Sequence, residues 1–229
     1  MNPLNGVALL YKREANVPLA FLGTCFSLRH ATHFLTAAHC VHELTPDQLV
    51  VVSHLDQRTR LVTNVTRHPH ADIAILNVDP VADDGVESFW NSVGNFSLGE
   101  EYFAFGFPED ALGPNEGRPT PRLFKGYFHR FMPHQSHMGY RYIAGELSTP
   151  CPGGLSGAPL FRPGAPVMLT GIVAENLESS TLLDTQERVL TDGQIFNEHY
   201  RSVVNFGIAV MLEPIKDWLD QHVPPRAHA

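Results

Sequence analysis

The chain has 229 residues, 43% of them hydrophobic and 17% charged, and carries a formal charge of -8. That length and balance describe a folded protein with a sizeable core, as one large domain or two small ones, and exclude a disordered chain. An acidic balance without any Lys or Arg run excludes a phosphate-binding surface, so no nucleic-acid partner is expected, and no stretch reaches the ~20 apolar residues of a membrane helix.

Taken in chain order, short apolar or alternating runs follow one another between turn residues. They are GVALLYK (6–12), LAFLGTCFSL (19–28), HFLTAAHCV (33–41), LVVVS (49–53), DIAILNV (72–78), EYFAFGFP (101–108), RYIAGEL (141–147), VMLTGIVA (167–174) and VNFGIAV (204–210). Strand-length runs at this spacing, punctuated by 18 Gly and 18 Pro, predict an all-β antiparallel barrel or sandwich. Two helical pieces are predicted. One is a single turn around Ala38–His42; the other is the closing EPIKDWLDQHV, residues 213–223, where Ile215, Trp218 and Leu219 share one face. The polar, turn-rich EDALGPNEGRPTP (109–121) marks a boundary between a first half, 1–110, and a second, 120–212. Residues 177–202 read as a long polar excursion between two strands, and long loops are often functional.

Three cysteines, Cys25, Cys40 and Cys151, are too few and too odd in number for a disulfide framework. They fit a reducing compartment, and the N-terminus lacks the basic start and apolar core of a secretory signal, so a cytoplasmic location is expected. No cofactor or metal is implied. His68-Pro69-His70-Ala71-Asp72 matches HxHxD, part of a hydrolase metal signature, but Ile73 stands where that signature expects a histidine and no downstream ligand set follows. His68 and His70 are read as loop residues near a cleft.

Three motifs carry the chemistry. His39 ends the apolar strand HFLTA as the chain turns, Asp72 enters the apolar strand DIAIL, and Ser156 lies in the glycine-rich turn CPGGLSGAP. Singly, each has an ordinary structural role: a satisfied core histidine, a strand-entry aspartate accepting local N–H bonds, a small residue in a tight turn. Together they are the types acyl transfer needs: a hydroxyl nucleophile, an imidazole to take its proton and a carboxylate to hold the imidazole. An α/β-hydrolase elbow, GxSxG, is broken by Ala158, and the order His, Asp, Ser is wrong for that fold.

These motifs resemble the chymotrypsin/trypsin-like serine proteases. LTAAHCV is similar to the family's histidine motif, DIAIL to its aspartate motif and GGLSGAP to its GxSGGP turn, in the family's order and at separations close to its compact bacterial, HtrA-like branch. FLGTCFSL resembles the GSGF strand, YFAFGFP the strand that opens the second barrel, GIVAEN the strand on which substrate backbone pairs, and NFGIAV with EPIKDWLDQH the last strand and terminal helix. The resemblance runs from about residue 5 to residue 222. It implies a single peptidase domain over 1–229 made of two six-stranded antiparallel barrels with the active site between them and a C-terminal helix. It also implies an endopeptidase with polypeptide substrates, catalytic His39, Asp72 and Ser156, and an oxyanion hole of the Gly154 and Ser156 N–H groups. The pocket would be formed by Thr149, Pro150 and Cys151 at its base, with Ala174, Glu175, Asn176, Phe206, Gly207 and Ile208 along its walls.

The departures from the family pattern carry expectations of their own. Leu155 replaces the aspartate that pairs with a newly cut N-terminus, so activation by that salt bridge is closed to this chain. Ala174 replaces a serine that supports the aspartate. No aspartate lies at the pocket base, so Arg or Lys preference is not expected. Cys40 matches a bridging cysteine whose partner position is occupied by Gly23, and reduced thiols are expected, a Cys25–Cys40 bridge requiring a shifted register. A regulatory partner or self-restriction is expected at 177–202. The competing reading is a trypsin-like fold used as a binding or regulatory module with little activity.

Overall fold

The computed structural model describes residues 3–14, 17–55, 57–80, 97–109, 120–164, 168–189 and 194–223. Among the described residues, twelve strands form two closed antiparallel barrels. The first holds β1 (Val7–Glu14), β2 (Val17–Ser27), β3 (His33–Thr36), β4 (Leu49–Ser53), β5 (Thr59–Arg67) and β6 (Ala74–Val78), in the order β1-β2-β3-β6-β5-β4. The second holds β7 (Glu101–Gly106), β8 (Arg122–Gln135), β9 (Arg141–Leu147), β10 (Pro159–Arg162), β11 (Met168–Val189) and β12 (Ile195–Met211), in the order β10-β11-β12-β9-β8-β7. Of the barrel or sandwich that the sequence pattern predicts, the barrel is formed, and it is present twice, as the resemblance implies.

The interior follows from side-chain alternation and from strands buried on every residue. β7 alternates with Tyr102 and Ala104 inside, whereas β4, LVVVS, is buried on every residue. β5, β8 and β10 have no clear signal in the sequence. β8 interleaves basic and aromatic residues on a half-exposed surface, and β10 is only PLFR, directly after a tight turn.

Two expectations are corrected. The division between barrels falls before Glu101, because β7 pairs with β8 and β10 of the second barrel; residues 110–119, most of the turn-rich stretch, lie outside the described residues. The described residues of 177–202, 177–189 and 194–202, are not a loop. They continue β11 and β12 as a two-stranded arm, in which Leu177 pairs Phe206, Ser180 pairs Val203 and Leu182 pairs Arg201. Polar residues made it look like a loop, but Thr, Val, Tyr and Leu at facing positions favour a paired ribbon.

The predicted helical pieces are short. Ala38–Val41 is a single 3-10 turn, and Glu213–Ile215 leads into α1 (Lys216–His222). Ile215 and Leu219 are buried, Trp218 packs edge-on against His68 at 4.9 Å, and Arg29 ties the helix down through Asp220 and the Val223 carbonyl.

Candidate active site

The first barrel delivers His39 and Asp72 as a locked pair. β3 ends at Thr36, and the 3-10 turn that follows starts the His39 side chain at the rim. Asp72 is 2% exposed and uses both carboxylate oxygens on His39: Oδ1 accepts from the backbone N–H at 2.8 Å and Oδ2 bonds Nδ1 at 2.7 Å. Two bonds from one carboxylate fix both the position of the residue and the tautomer of its ring, leaving Nε2 as the outward nitrogen. Burial alone would lower the His39 pKa, but it is outweighed by the surrounding groups, the hydrogen bond to Asp72 foremost, and the pKa is raised.

The HxHxD stretch positions Asp72. His68 Nδ1 accepts the N–H groups of His70 (3.1 Å) and Ala71 (2.8 Å), closing the turn that feeds Asp72 into the site. Burial lowers the His68 pKa, which keeps the ring neutral for that accepting role. A cleft of about 520 Å³ opens on this side, lined by His68, Ala71, His134, Tyr142, Pro214 and Ile215 among others, and not by His39, Asp72 or Ser156.

The second barrel delivers Ser156 on the turn before β10. Leu155, on the turn's inner side, is 1% exposed and packs where any side chain on Gly106 would collide with it, 2.5 Å from its Cδ1. The turn is thus anchored by apolar burial where secreted relatives are expected to use an ion pair. Gly154 (φ +84°) and Gly157 (φ +85°) occupy the left-handed region. A Cβ at Gly154 would sit 2.5 Å from the Phe107 carbonyl oxygen, and one at Gly157 would sit 2.1 Å from that of Thr24. Only glycine fits both the angle and the space.

Thr24 joins the two halves. Its hydroxyl donates to the Gly154 carbonyl (2.9 Å) and accepts from the Phe107 N–H (3.1 Å). Its N–H donates to the Ser156 carbonyl (2.9 Å), and its carbonyl accepts from the Thr36 hydroxyl (2.9 Å), three residues before His39. Glu109 N–H holds the Gly153 carbonyl at 2.8 Å. Because a trans peptide points its C=O and N–H in opposite directions, this turns the Gly154 N–H away from Glu109. Neither the Gly154 nor the Ser156 N–H meets an acceptor among the described residues. Thr24 and Glu109 escaped the sequence reading; their only signal was that Thr24 lies within FLGTCFSL and Glu109 directly follows YFAFGFP.

Ser156 lies beside the histidine turn: the sulfur of Cys40, the residue after His39, is 3.9 Å from the Ser156 carbonyl oxygen. The Ser156 hydroxyl itself donates to the Ala174 carbonyl at 3.0 Å, and no hydrogen bond joins it to His39 among the described residues. Ala174 therefore touches the serine through its backbone, and with no serine hydroxyl at 174 the Asp72 carboxylate is held by His39 alone among the described residues.

Of the predicted pocket residues, the structure brings Thr149, Cys151, Asn176 and Gly207 together. The Asn176 amide clips Cys151, its Oδ1 accepting from the Cys151 N–H and its Nδ2 donating to the Cys151 carbonyl, both at 2.6 Å. Gly207 N–H donates to the Thr149 carbonyl (2.9 Å), the Thr149 hydroxyl bonds Tyr102 at 2.6 Å, and Ile208 is buried. A Cβ on Gly207 would sit 2.3 Å from the Cys151 sulfur. Pro150 is exposed at the edge. Two residues turn elsewhere. The Glu175 carboxylate bonds His134 (2.5 Å), His137 (3.1 Å) and Tyr142 (3.3 Å), and the Phe206 ring stands edge-on to His129 at 5.1 Å. Cys25, Cys40 and Cys151 are free thiols; burial raises the pKa of Cys25 and pushes that of Cys151 up to about 12. Cys40 faces Gly23, where a Cβ would stand 2.9 Å from its sulfur.

Against known families, residues 23–167 match the trypsin-like peptidase domain. Among solved structures, the chain is similar to the active form of the Rv3671c protease from M. tuberculosis, with TM-score 0.64 and 14% identity over 99% of this chain and 85% of that one. It is also similar to the MamO protease domain from Magnetospirillum magneticum, with TM-score 0.61 and 16% identity over 94% and 96% of the two chains. The HtrA-type protease AlgW, solved with a decapeptide, gives TM-score 0.63 and 15% identity over 95% of this chain and 64% of that one. At these identities the likeness is one of fold. No curated protein matches the chain.

Proposed function

The chain belongs to the trypsin-like peptidase domain family, and on that premise we propose that it is a serine endopeptidase acting through an acyl-enzyme intermediate. The observation that carries this reading is the doubly hydrogen-bonded His39–Asp72 pair set beside the Ser156 turn. Ser156 is the nucleophile. Its hydroxyl leaves the Ala174 carbonyl by rotation about χ1 and donates to His39 Nε2, a step that substrate closure favours because catalytic hydrogen bonds often tighten only in the complex. His39 takes the proton as Ser156 Oγ attacks the scissile carbonyl, then returns it to the leaving amine; a water repeats the sequence to release the acyl group. Asp72 stabilises the imidazolium without taking the proton. The Gly154 and Ser156 N–H groups receive the oxyanion, each contributing roughly 3 to 4 kcal/mol in the transition state.

The pocket around Thr149, Pro150 and Cys151 is neutral, which favours an uncharged or small apolar residue before the cut over Arg or Lys. Profiling a peptide library tests this, and dominant cleavage after Arg or Lys would count against it. The Ala174–Asn176 edge pairs with substrate backbone, and the arm that includes 177–202 regulates access or receives a protein partner. The three thiols fit a reducing, cytoplasmic setting, and no helix among the described residues is long and apolar enough to cross a membrane.

The bond from the Ser156 hydroxyl to Ala174 favours a second reading, a binding module of low activity. A fluorophosphonate probe separates the two. Labelling of the wild type and not of Ser156→Ala supports the protease; a folded wild type that neither labels nor cleaves peptides supports the module.

A further inference from the structure

The arm extends the edge that faces the serine. From Glu175 to Leu182, β11 pairs with β12 in one unbroken register, Asn176 opposite Gly207 and Leu182 opposite Arg201. Gly207 sends its N–H away from β11, to the Thr149 carbonyl. The Asn176–Gly207 pair is therefore one of the non-hydrogen-bonded pairs of the ladder, and the backbone N–H and C=O of Asn176 point outward. With a period of two, those of Glu178, Ser180 and Leu182 point the same way, and no backbone acceptor or donor meets them among the described residues. This open edge begins two residues after Ala174, the acceptor of the Ser156 hydroxyl.

The arm is also short of partners. β9 covers β12 only at Gly207–Val210, so the ribbon beyond is two strands wide, a form that is marginal in water on its own. It exposes Leu182 (54%) and Val203 (50%) as well as Leu183 and Val204. A third strand would satisfy the open backbone groups and cover part of this apolar surface.

Polarity identifies the occupant. In the acyl-transfer reading the leaving amine faces His39 in the first barrel, so the acyl side of a substrate lies along the second barrel, beside Ala174. β11 runs from Ala174 outward to Leu182, and a substrate strand leaving the scissile carbonyl toward its own N-terminus runs out beside it, antiparallel. We propose that the β11 edge from Asn176 to Leu182 is an extended docking edge for the polypeptide segment N-terminal to the scissile bond. The six residues beyond Asn176 span about 20 Å, room for about six further substrate residues. The preferred substrate is thus a long unfolded or extended segment rather than a short exposed loop. This inference rests on the endopeptidase reading.

Binding to Ser156→Ala tests the edge apart from turnover. The probes are fluorescein-labelled peptides with a common C-terminal segment of about three residues, Ala, Val and Thr, which reaches no further than Asn176, either alone or preceded by about six to ten residues of Ser-Thr repeat. The longer peptide is expected to bind on the order of 30-fold tighter, the yield of about two to three net hydrogen-bonded pairs. Ser180→Pro removes only an outward N–H and leaves the β11–β12 bonds in place, so it should abolish the gain while short-peptide binding stays unchanged. A long peptide with proline at alternate flank positions should lose the gain on the Ser156→Ala protein as well, whatever the folding of the Ser180→Pro variant. Equal affinities for short and long peptides, or a gain that survives both proline tests, overturns the docking edge. A dimer in sedimentation that Ser180→Pro disperses also overturns it and assigns the edge to a second copy of the chain. If short peptides are bound and cleaved with no gain from length, only this inference falls; if no peptide is bound or cleaved and the fluorophosphonate does not label, the endopeptidase reading falls with it.

Discussion

The two barrels prepare their parts of the site differently. In the first, His39 and Asp72 are already joined by two short bonds, and the turn before Asp72 is closed by His68 from within the same barrel. In the second, Ser156 rests on the Ala174 carbonyl, and its turn is held from two sides, by the Glu109 N–H and Val173 carbonyl of its own barrel and by Thr24 of the first barrel. The base is built into one barrel's own core. The nucleophile and its neighbouring N–H groups depend on how the two barrels meet, and that junction is where activity is open to adjustment.

Removing either side of the reacting pair gives the largest effect. Ser156→Ala or His39→Ala should lower peptide hydrolysis by about 10⁴ to 10⁶-fold, measured as kcat/KM, and the double variant should lose little more, since residues that act as one unit are not additive. Additive losses would show that the serine and histidine work separately. Asp72→Asn keeps the shape and should cost about 10⁴ in kcat by presenting the wrong tautomer.

The same pair sets the pH dependence. The His39 pKa is raised by Asp72, so kcat/KM should climb with pH through a midpoint above the ordinary imidazole value, and Asp72→Asn should move that midpoint down. For stability the sign is opposite. A raised folded-state pKa contributes stability that is fully present below the unfolded imidazole value and is lost as pH rises through the folded one. Denaturant midpoints across that window, wild type against His39→Ala, measure it; a flat difference would mean the pair does not favour the imidazolium.

In the core of the second barrel, Leu155→Ala should destabilise the protein by about 2 to 5 kcal/mol in denaturant titration, because it leaves a cavity against Gly106 of β7. Thr24→Val keeps the shape but removes the hydroxyl that bonds Gly154 and Phe107. It should lower kcat about tenfold with KM little changed, at a stability cost of about 1 to 3 kcal/mol. A drop in KM affinity without a change in kcat would place Thr24 in substrate binding instead. The smallest effect is expected of His68→Ala, about 1 kcal/mol, since water can reach the two N–H groups it caps. Loss of activity beyond that fraction would mean the His68 turn sets Asp72 more tightly than its hydrogen bonds imply.

Much of this was legible in the residues. Alternating strand-length runs foretold an all-β chain, and LTAAHCV, DIAIL and CPGGLSGAP pointed to His39, Asp72 and Ser156 because an imidazole at a strand end, a carboxylate at a strand entrance and a serine among glycines each carry chemistry or conformation locally. Gly154 and Gly157 belong to the same class, since a positive φ is a property of one residue. What only the tertiary structure decided depends on residues far apart in the chain. Thr24 meets Gly154 and Ser156 because separate barrels pack there, and Leu155 meets Gly106 because the second barrel closes β7 against the Ser156 turn. The length of the 177–202 arm is decided by cross-strand pairing, which a single strand's polarity does not reveal. Local chemistry is written residue by residue, whereas the direction in which a hydroxyl, a carbonyl or a strand edge faces is a property of the contacts around it.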